Sequence, residues 1–245
     1  MPEPRDLAAE IEAGVALPPG NDERFSGYGV MAVPFASGHI LCLRRFPATS
    51  IGAAYTSVWL REPDGRWTFY QNAPPLQACP RYFGGAIAAA EQREIELTWP
   101  GPRNFTVRVA GEDGIDWGMS LAPSPATRAL NAIGGLMPDA LWHNRAVLRV
   151  MSAVAGVALG AGRLRMAGRA PNGQRFIANP RRIWRIVESR AIVRGADIGP
   201  IGRLPEQVRL GDFWIPNAGI FVIGQAFFEP FEEARHQAAA TSDAS

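Results

Sequence analysis

The chain has 245 residues, 47% of them hydrophobic and 20% charged, with a formal net charge of +2, which describes a folded protein with a sizeable core and not a disordered one. All 25 basic residues are arginine, which excludes class I aldolase, pyridoxal-phosphate and lysine-dependent decarboxylase chemistry, and also a P-loop, because each needs a lysine amine. Two cysteines (Cys42, Cys79) without CxxC spacing and three histidines (His39, His143, His236) build no zinc signature.

Residues 4–14 read as a short amphipathic helix with Leu7, Ile11 and Val15 on one side. The opening MPEPRDLAAEIEAG carries acids and no apolar run, so no signal peptide is expected and cytoplasmic residence with free thiols is. ALPPGNDERFSG follows as a loop, and strands begin near Tyr28. GYGVMAV and HILCLRRF flank PFASG as a hairpin, and AYTSVWL and RWTFYQ flank the turn REPDG. REIELTW sets Ile95, Leu97 and Trp99 against Glu94, Glu96 and Thr98, and NFTVRV alternates in the same way. A period of two marks strands with one buried and one wet face, as in an antiparallel sheet. IDWGMSL adds another strand.

Residues 124–160 interrupt this pattern. Ser124-Pro125 is an N-cap and first-turn pair that opens the helix PATRALNAI, Gly134-Gly135 stops it, and Pro138 restarts a helix through LWHNRAVLRVMSAVAGVALGAG. The uncharged run Val150–Gly162 is thirteen residues long, short of the roughly 20 that a membrane span needs. Arg145, Arg149, Ser152 and Gly156 fall on one narrow stripe and apolar residues cover the rest. Burial against the sheet as core is the leading reading, ahead of a lid or wall over an apolar pocket and of interfacial membrane contact. Strands then return in GRLRMAG, RFIA, RRIWRIVESRAIVRG and GIFVIGQAFFE, for ten to twelve in all.

The small net charge hides a segregation. Residues 141–196 hold eleven arginines and one acid, Glu188, whereas residues 1–27 and 197–245 are each at −4. Such a block suits an anionic partner. Alternate placement, as at Arg163 and Arg165 or Arg190 and Arg194, equally suits a solvated strand face or pairing with the acidic ends. No recognition motif supports nucleic acid, which is an unlikely partner. Glu188 is expected to pair with an arginine.

Three residues are candidates for acid–base chemistry. His39 begins a strand that also carries Arg44 and Arg45, so an imidazole base and a guanidinium for a carboxylate or oxyanion lie near each other. Asp197 and Asp212 stand beside glycines in loops, where burial could keep a carboxylic acid protonated, although Asp-Gly pairs also simply make turns. Cys42 lies at odd offset from His39 and faces the other way, which argues against a Cys-His pair. No GxSxG, HExxH, GxGxxG or EF-hand pattern is present, so neither a metal nor a cofactor is implied.

YTSVWLREPDGRWTFY and IWRIVESRAIVRGADIG give the chain a strand layout and aromatic placement that resemble the lipocalin-like barrels of the carotenoid hydratase and hydroxyneurosporene synthase type, over about half its length. That resemblance implies an apolar, isoprenoid-like ligand in a β cavity; the helical insertion and the short chain depart from it, and it carries over no catalytic residue.

The fold expected is mainly β: an antiparallel lipocalin-like barrel or two packed sheets, with a short N-terminal helix and a helical pair near the middle. Residues 1–26 form the helix and loop, 27–231 a single β-rich domain with the insertion at 124–160, and 232–245 a flexible tail. The function expected is binding of an apolar small molecule (isoprenoid-, sterol- or fatty-acid-like) in a cavity lined by Trp59, Trp67, Phe69, His143 and Trp184. An arginine would meet a polar end such as a carboxylate. The alternatives are a hydratase, isomerase or cyclase using His39, Asp197 and Asp212 in that cavity, or a basic surface for nucleic acid or protein.

Overall fold

A computed structural model describes residues 2–237. Four helices are present among them: α1 (Pro4–Gly14), α2 (Pro80–Phe83), α3 (Pro125–Leu136) and α4 (Arg145–Ala158). The strands are β1 (Glu23–Pro34), β2 (Ile40–Thr49), β3 (Tyr55–Arg61), β4 (Trp67–Gln71), β5 (Ala89–Gln92), β6 (Ile95–Thr98), β7 (Asn104–Val109), β8 (Ile115–Ala122), β9 (Ala167–Arg169), β10 (Arg175–Val193), β11 (Ala196–Asp197), β12 (Arg209–Leu210), β13 (Phe213–Trp214) and β14 (Ile220–Phe228). All but β12 and β13 share one sheet, whose main path runs β5-β4-β3-β2-β1-β14-β10-β8-β7-β6. Every pairing along it is antiparallel except β4 with β5. The chain is mainly β, as its alternating strands require, and its outline is lipocalin-like.

The sheet must curl. Laid flat, ten strands would put β5 and β6 about 43 Å apart at 4.8 Å per spacing, yet only Arg93 and Glu94 separate them in sequence, a reach of about 10 Å. The backbone shows how the edges meet: Arg93 N–H donates to Gln71 O on β4, and Ala110 N–H at the end of β7 donates to Glu94 O. Residues 89–98 therefore pair with one edge in their first half and with the other in their second.

Alternation assigns the two faces. One core cluster takes residues from strands around the whole path, including Leu43, Val58, Tyr70, Val107, Trp117, Trp184 and Phe221, and α1 packs Leu7, Ala8 and Ile11 into it. This is the inside of the curl, filled with side chains. On β7 and β8 the opposite face is wet, giving buried residues at alternate positions. On β1 to β4 both faces are buried. Their outer face carries a second cluster around Phe25, Trp59, Phe69, Tyr82 and Phe83, and a third lies under α4 around Trp142, Leu148 and Ile183.

Several elements differ from the sequence reading. Gly134-Gly135 does not stop α3, which continues to Leu136; a Cβ on Gly134 would sit 3.4 Å from the Trp142 ring, so that glycine serves a close packing contact. After Pro138 a single 3-10 turn (Asp139–His143) precedes α4, which Asn144 caps by accepting from Ala146 and Val147 N–H. RFIA and RRIWRIVESRAIVRG are one strand, β10, that passes Pro180 by a register shift between Pro180 and Arg182. GRLRMAG shrinks to the three residues of β9. On α4, Ser152 and Gly156 face the protein and Val150, Val154 and Val157 face outward. Ser152 earns its burial by hydrogen bonding: its Oγ donates to Leu148 O (2.7 Å) and accepts from Met166 N–H (2.9 Å). A Cβ at Gly156 would stand 2.4 Å from Gly162 O. Of the terminal segment 232–245, residues 238–245 lie outside the described part; His236 is buried and Gln237 N–H donates to Asn172 O.

Candidate functional site

The strand β2 begins ILCLRRF, and its alternation sends Leu41 and Leu43 into the curl and Ile40 and Cys42 to the outer face. The arginine doublet is divided in the same way. Arg45 lies at the α1 end, where its Nε and Nη2 donate to Glu12 (2.8 and 2.7 Å). Arg44 points to the outer face and is only 7% exposed. It borders a partly open cavity of about 160 Å³ between the outer face of the sheet and a covering layer. That layer consists of α2 (Tyr82, Phe83), the inner side of α4 (Ala155, Leu159), Leu164 to Met166, and β13 (Phe213, Trp214). The cavity thus lies outside the barrel wall and not in the barrel, whose interior is packed.

Its surface is almost wholly apolar, with Phe25, Phe46, Tyr55, Trp59, Phe176 and Phe228 on the sheet side. Trp59 stacks on Phe69 with ring centroids 4.3 Å apart, and Tyr82 stacks on Phe228 at 3.8 Å. Three glycines form part of the floor. At Gly27, Gly29 and Gly224 a Cβ would fall 2.0, 2.2 and 2.1 Å from a carbonyl oxygen of the adjacent strand, so the close strand approach there admits no side chain. Glu23 ties α2 down: Arg81 Nη2 (2.6 Å), Tyr82 Oη (2.5 Å) and Gln174 Nε2 (3.2 Å) all donate to it. Burial pushes the Glu23 carboxyl up, but these hydrogen bonds together with the Arg81 charge outweigh it and hold its pKa below the ordinary value.

Two polar side chains face this surface without a full set of partners. The Arg44 guanidinium lies 4.5 Å from the Trp59 ring centroid and 5.7 Å from that of Phe213. Its Nη1 donates to Val30 O (2.6 Å) and Leu43 O (2.8 Å), while the buried Nη2 has no partner. Among the described residues no carboxylate pairs with it, and burial pulls its pKa down. Asn179, on β10, is fully buried, and neither its Oδ1 nor its Nδ2 is bonded. Apart from Arg165, which pairs with Asp212, the other titratable groups on the wall are thiol and phenol. Burial raises Cys79 and lifts Tyr55 and Tyr82 well above their ordinary values, so all three stay protonated near neutral pH. Among the described lining residues there is no aspartate, glutamate or histidine.

The residues singled out from sequence fall in different places. Trp59 lines the cavity; Trp67 and Phe69 are buried in the aromatic cluster behind it, and Trp184 is buried inside the curl against Phe221. His143 is exposed, its ring 4.9 Å from Phe227 and its Nδ1 3.2 Å from Asp139 O. His39 sits at the β1–β2 hairpin between Ser37 Oγ (2.9 Å) and Glu62 Oε2 (3.1 Å), and Glu62 also pairs with Arg194 (2.9 Å). Asp197 accepts from Gly199 N–H (2.9 Å) and Arg190 Nε (3.0 Å), which hold its carboxyl below the ordinary range. Asp212 accepts from Arg165 (2.5 Å) and from Arg169 N–H (3.1 Å). Of these three candidate acids and bases, Asp212 alone touches a lining residue, Arg165. Glu188 accepts a hydrogen bond from Ser120 (3.2 Å) in place of the expected arginine. Within the basic block Arg165, Arg175 and Arg190 pair with C-terminal acids, and Arg181 pairs with Asp139.

No family model matches the chain, and no curated protein does. Two solved structures are similar in fold outline. One is an acetoacetate decarboxylase from Legionella pneumophila subsp. pneumophila str. Philadelphia 1, with a TM-score of 0.42 and 10% identity over 93% of this chain and 90% of that one. The other is also an acetoacetate decarboxylase, with a TM-score of 0.42 and 11% identity over 90% of each chain.

Proposed function

We propose that this chain binds a small apolar carboxylic acid in the cavity outside the barrel wall, with the acid group on Arg44. The observation that carries this reading is the buried guanidinium with a free Nη2 and no carboxylate partner. A buried cation is costly unless it is paired, and an anionic ligand would pair it with a charge-assisted hydrogen bond. Asn179 would take a second polar group of the ligand, and Trp59, Tyr55 and Phe213 would enclose its body. Size limits that body. A cavity of about 160 Å³ is close to the roughly 150 Å³ that takes a benzene ring. It therefore suits an aromatic or short branched acid, or the end unit of a longer isoprenoid, rather than a whole sterol.

Catalysis on such a ligand by His39, Asp197 and Asp212 finds less support: none of the three lines the cavity, His39 and Asp197 pair outside the lining, and Asp212 is already held by Arg165. The experiment is native mass spectrometry of the purified protein with extraction of any adduct, followed by calorimetry on matched acids and methyl esters of ring size. Acids should bind and their esters should bind at least about tenfold more weakly, the loss of one charge-assisted hydrogen bond. Equal binding of acid and ester, or no binding of either, would remove the reading.

A further inference from the structure

Among the described residues, six of the eight large apolar side chains that stand exposed lie between residues 133 and 157: Ile133, Leu136, Leu141, Val150, Val154 and Val157. Helical geometry sharpens this on α4. At 100° per residue, Leu148, Ser152, Ala155 and Leu159 define the buried side, and Ala146, Val150, Ala153, Val154 and Val157 centre on the opposite one. The side turned to solvent therefore carries no polar group. Arg145 and Arg149, both exposed, run along one flank. α4 itself carries no acid, and past its end comes Arg163, also exposed, whereas Arg165 is paired with Asp212. The Arg163 guanidinium lies 4.8 Å from the ring centroid of Trp214.

We infer that this face docks on an anionic membrane surface. A helix lying in the interface needs an apolar side to enter the acyl boundary and cations beside it to meet lipid phosphates and carboxylates, and α4 presents both in register. A second copy of the chain fits poorly. Two-fold packing through this face would set arginines against arginines with no carboxylate on α4 to relieve them. A protein partner is normally held by aromatic anchors and paired hydrogen bonds, and valine and alanine on this face supply neither. Lipid asks only for apolar area and positive charge. The helix is too short to cross the bilayer, and no helix among the described residues is long and apolar enough to do so. The contact is peripheral and salt-sensitive. It does not depend on what the cavity binds.

The test is co-sedimentation of the full chain with phosphatidylcholine vesicles and with mixed phosphatidylcholine–phosphatidylserine vesicles across a salt series, with sedimentation velocity of the lipid-free protein alongside. Binding is expected on the mixed vesicles alone, falling as salt rises. Arg145→Gln with Arg149→Gln should weaken it about thirtyfold, from roughly a fivefold loss for each surface arginine. Val154→Asp with Val157→Asp should abolish it. All four positions are exposed, and unchanged thermal melts and far-ultraviolet spectra will confirm folding. No retention on mixed vesicles, equal retention on both kinds, or a stable dimer that the valine variant dissolves would each overturn the inference.

Discussion

Arg44→Met separates a ligand anchor from a structural arginine, because the two roles predict opposite balances of stability and binding. The substitution keeps a long side chain against Trp59 and removes the charge. It forfeits the bonds from Nη1 to Val30 O and Leu43 O, worth about 1.5–3 kcal/mol each as charge-assisted hydrogen bonds. It also forfeits a ring contact with Trp59, worth up to about 2 kcal/mol when desolvated. Against this it relieves the burial of a cation that is 7% exposed and has no acid partner among the described residues, a penalty of several kcal/mol. These contributions are similar in size and opposite in sign, so the ligand-free variant should stay within about 2 kcal/mol of the parent. Binding has no such compensation: the acid should lose about 10- to 100-fold in affinity. Thermal denaturation reads both effects. At a ligand concentration 100 times Kd the parent gains about 2.7 kcal/mol, or about 5–10 °C in a chain of this size. At the same concentration the variant should gain only about 0.4–1.4 kcal/mol. A ligand-free variant destabilised by more than about 4 kcal/mol, with acid affinity retained, would refute the reasoning and make Arg44 a bracket between two carbonyls.

Three further outcomes follow from contacts made on the sheet and its outer face. The Glu23 carboxyl is held below its ordinary value, so its contribution is complete at neutral pH and is lost as pH falls through the folded-state pKa; the stability gap between the parent and Glu23→Gln should shrink as chemical denaturation is repeated below pH 4.5, and a gap constant with pH would contradict the assignment. Asn131 on α3 donates to Ile183 O (2.9 Å) and accepts from Ile183 N–H (2.8 Å), so Asn131→Leu leaves both backbone groups unbonded and should cost about 2–4 kcal/mol in urea unfolding. At Gly224 a Cβ would stand 2.1 Å from Asn179 O, and Gly224→Ala should cost about 2–3 kcal/mol from overpacking and weaken acid binding by shifting Asn179; a variant with unchanged melting and unchanged affinity would show that the strands can separate there freely.

The barrel strands were legible because their cause is local. Ile95, Leu97 and Trp99 alternate with polar neighbours, and a half-buried strand needs nothing more. Proline and glycine misled where a distant contact decided the outcome: Gly134 serves Trp142, and Pro180 sits in a bulge that keeps β10 continuous. The candidate site was hidden for a related reason. Sequence located the aromatic side chains but not which face of the sheet each would occupy relative to a ligand, so Trp59 and Trp184 looked alike although they lie on opposite sides of the wall. Arg44 shows the limit most sharply. In a strand an Arg-Arg doublet must send one guanidinium to each face, and that much was readable from ILCLRRF alone. Whether the outward arginine met water depended on residues 204–215, a segment without periodicity that folds back over β2 and packs Leu204, Val208, Leu210, Phe213 and Ile215 into the outer cluster. Without that cover Arg44 would be an ordinary surface arginine; with it, the same residue becomes a buried cation that no carboxylate among the described residues pairs.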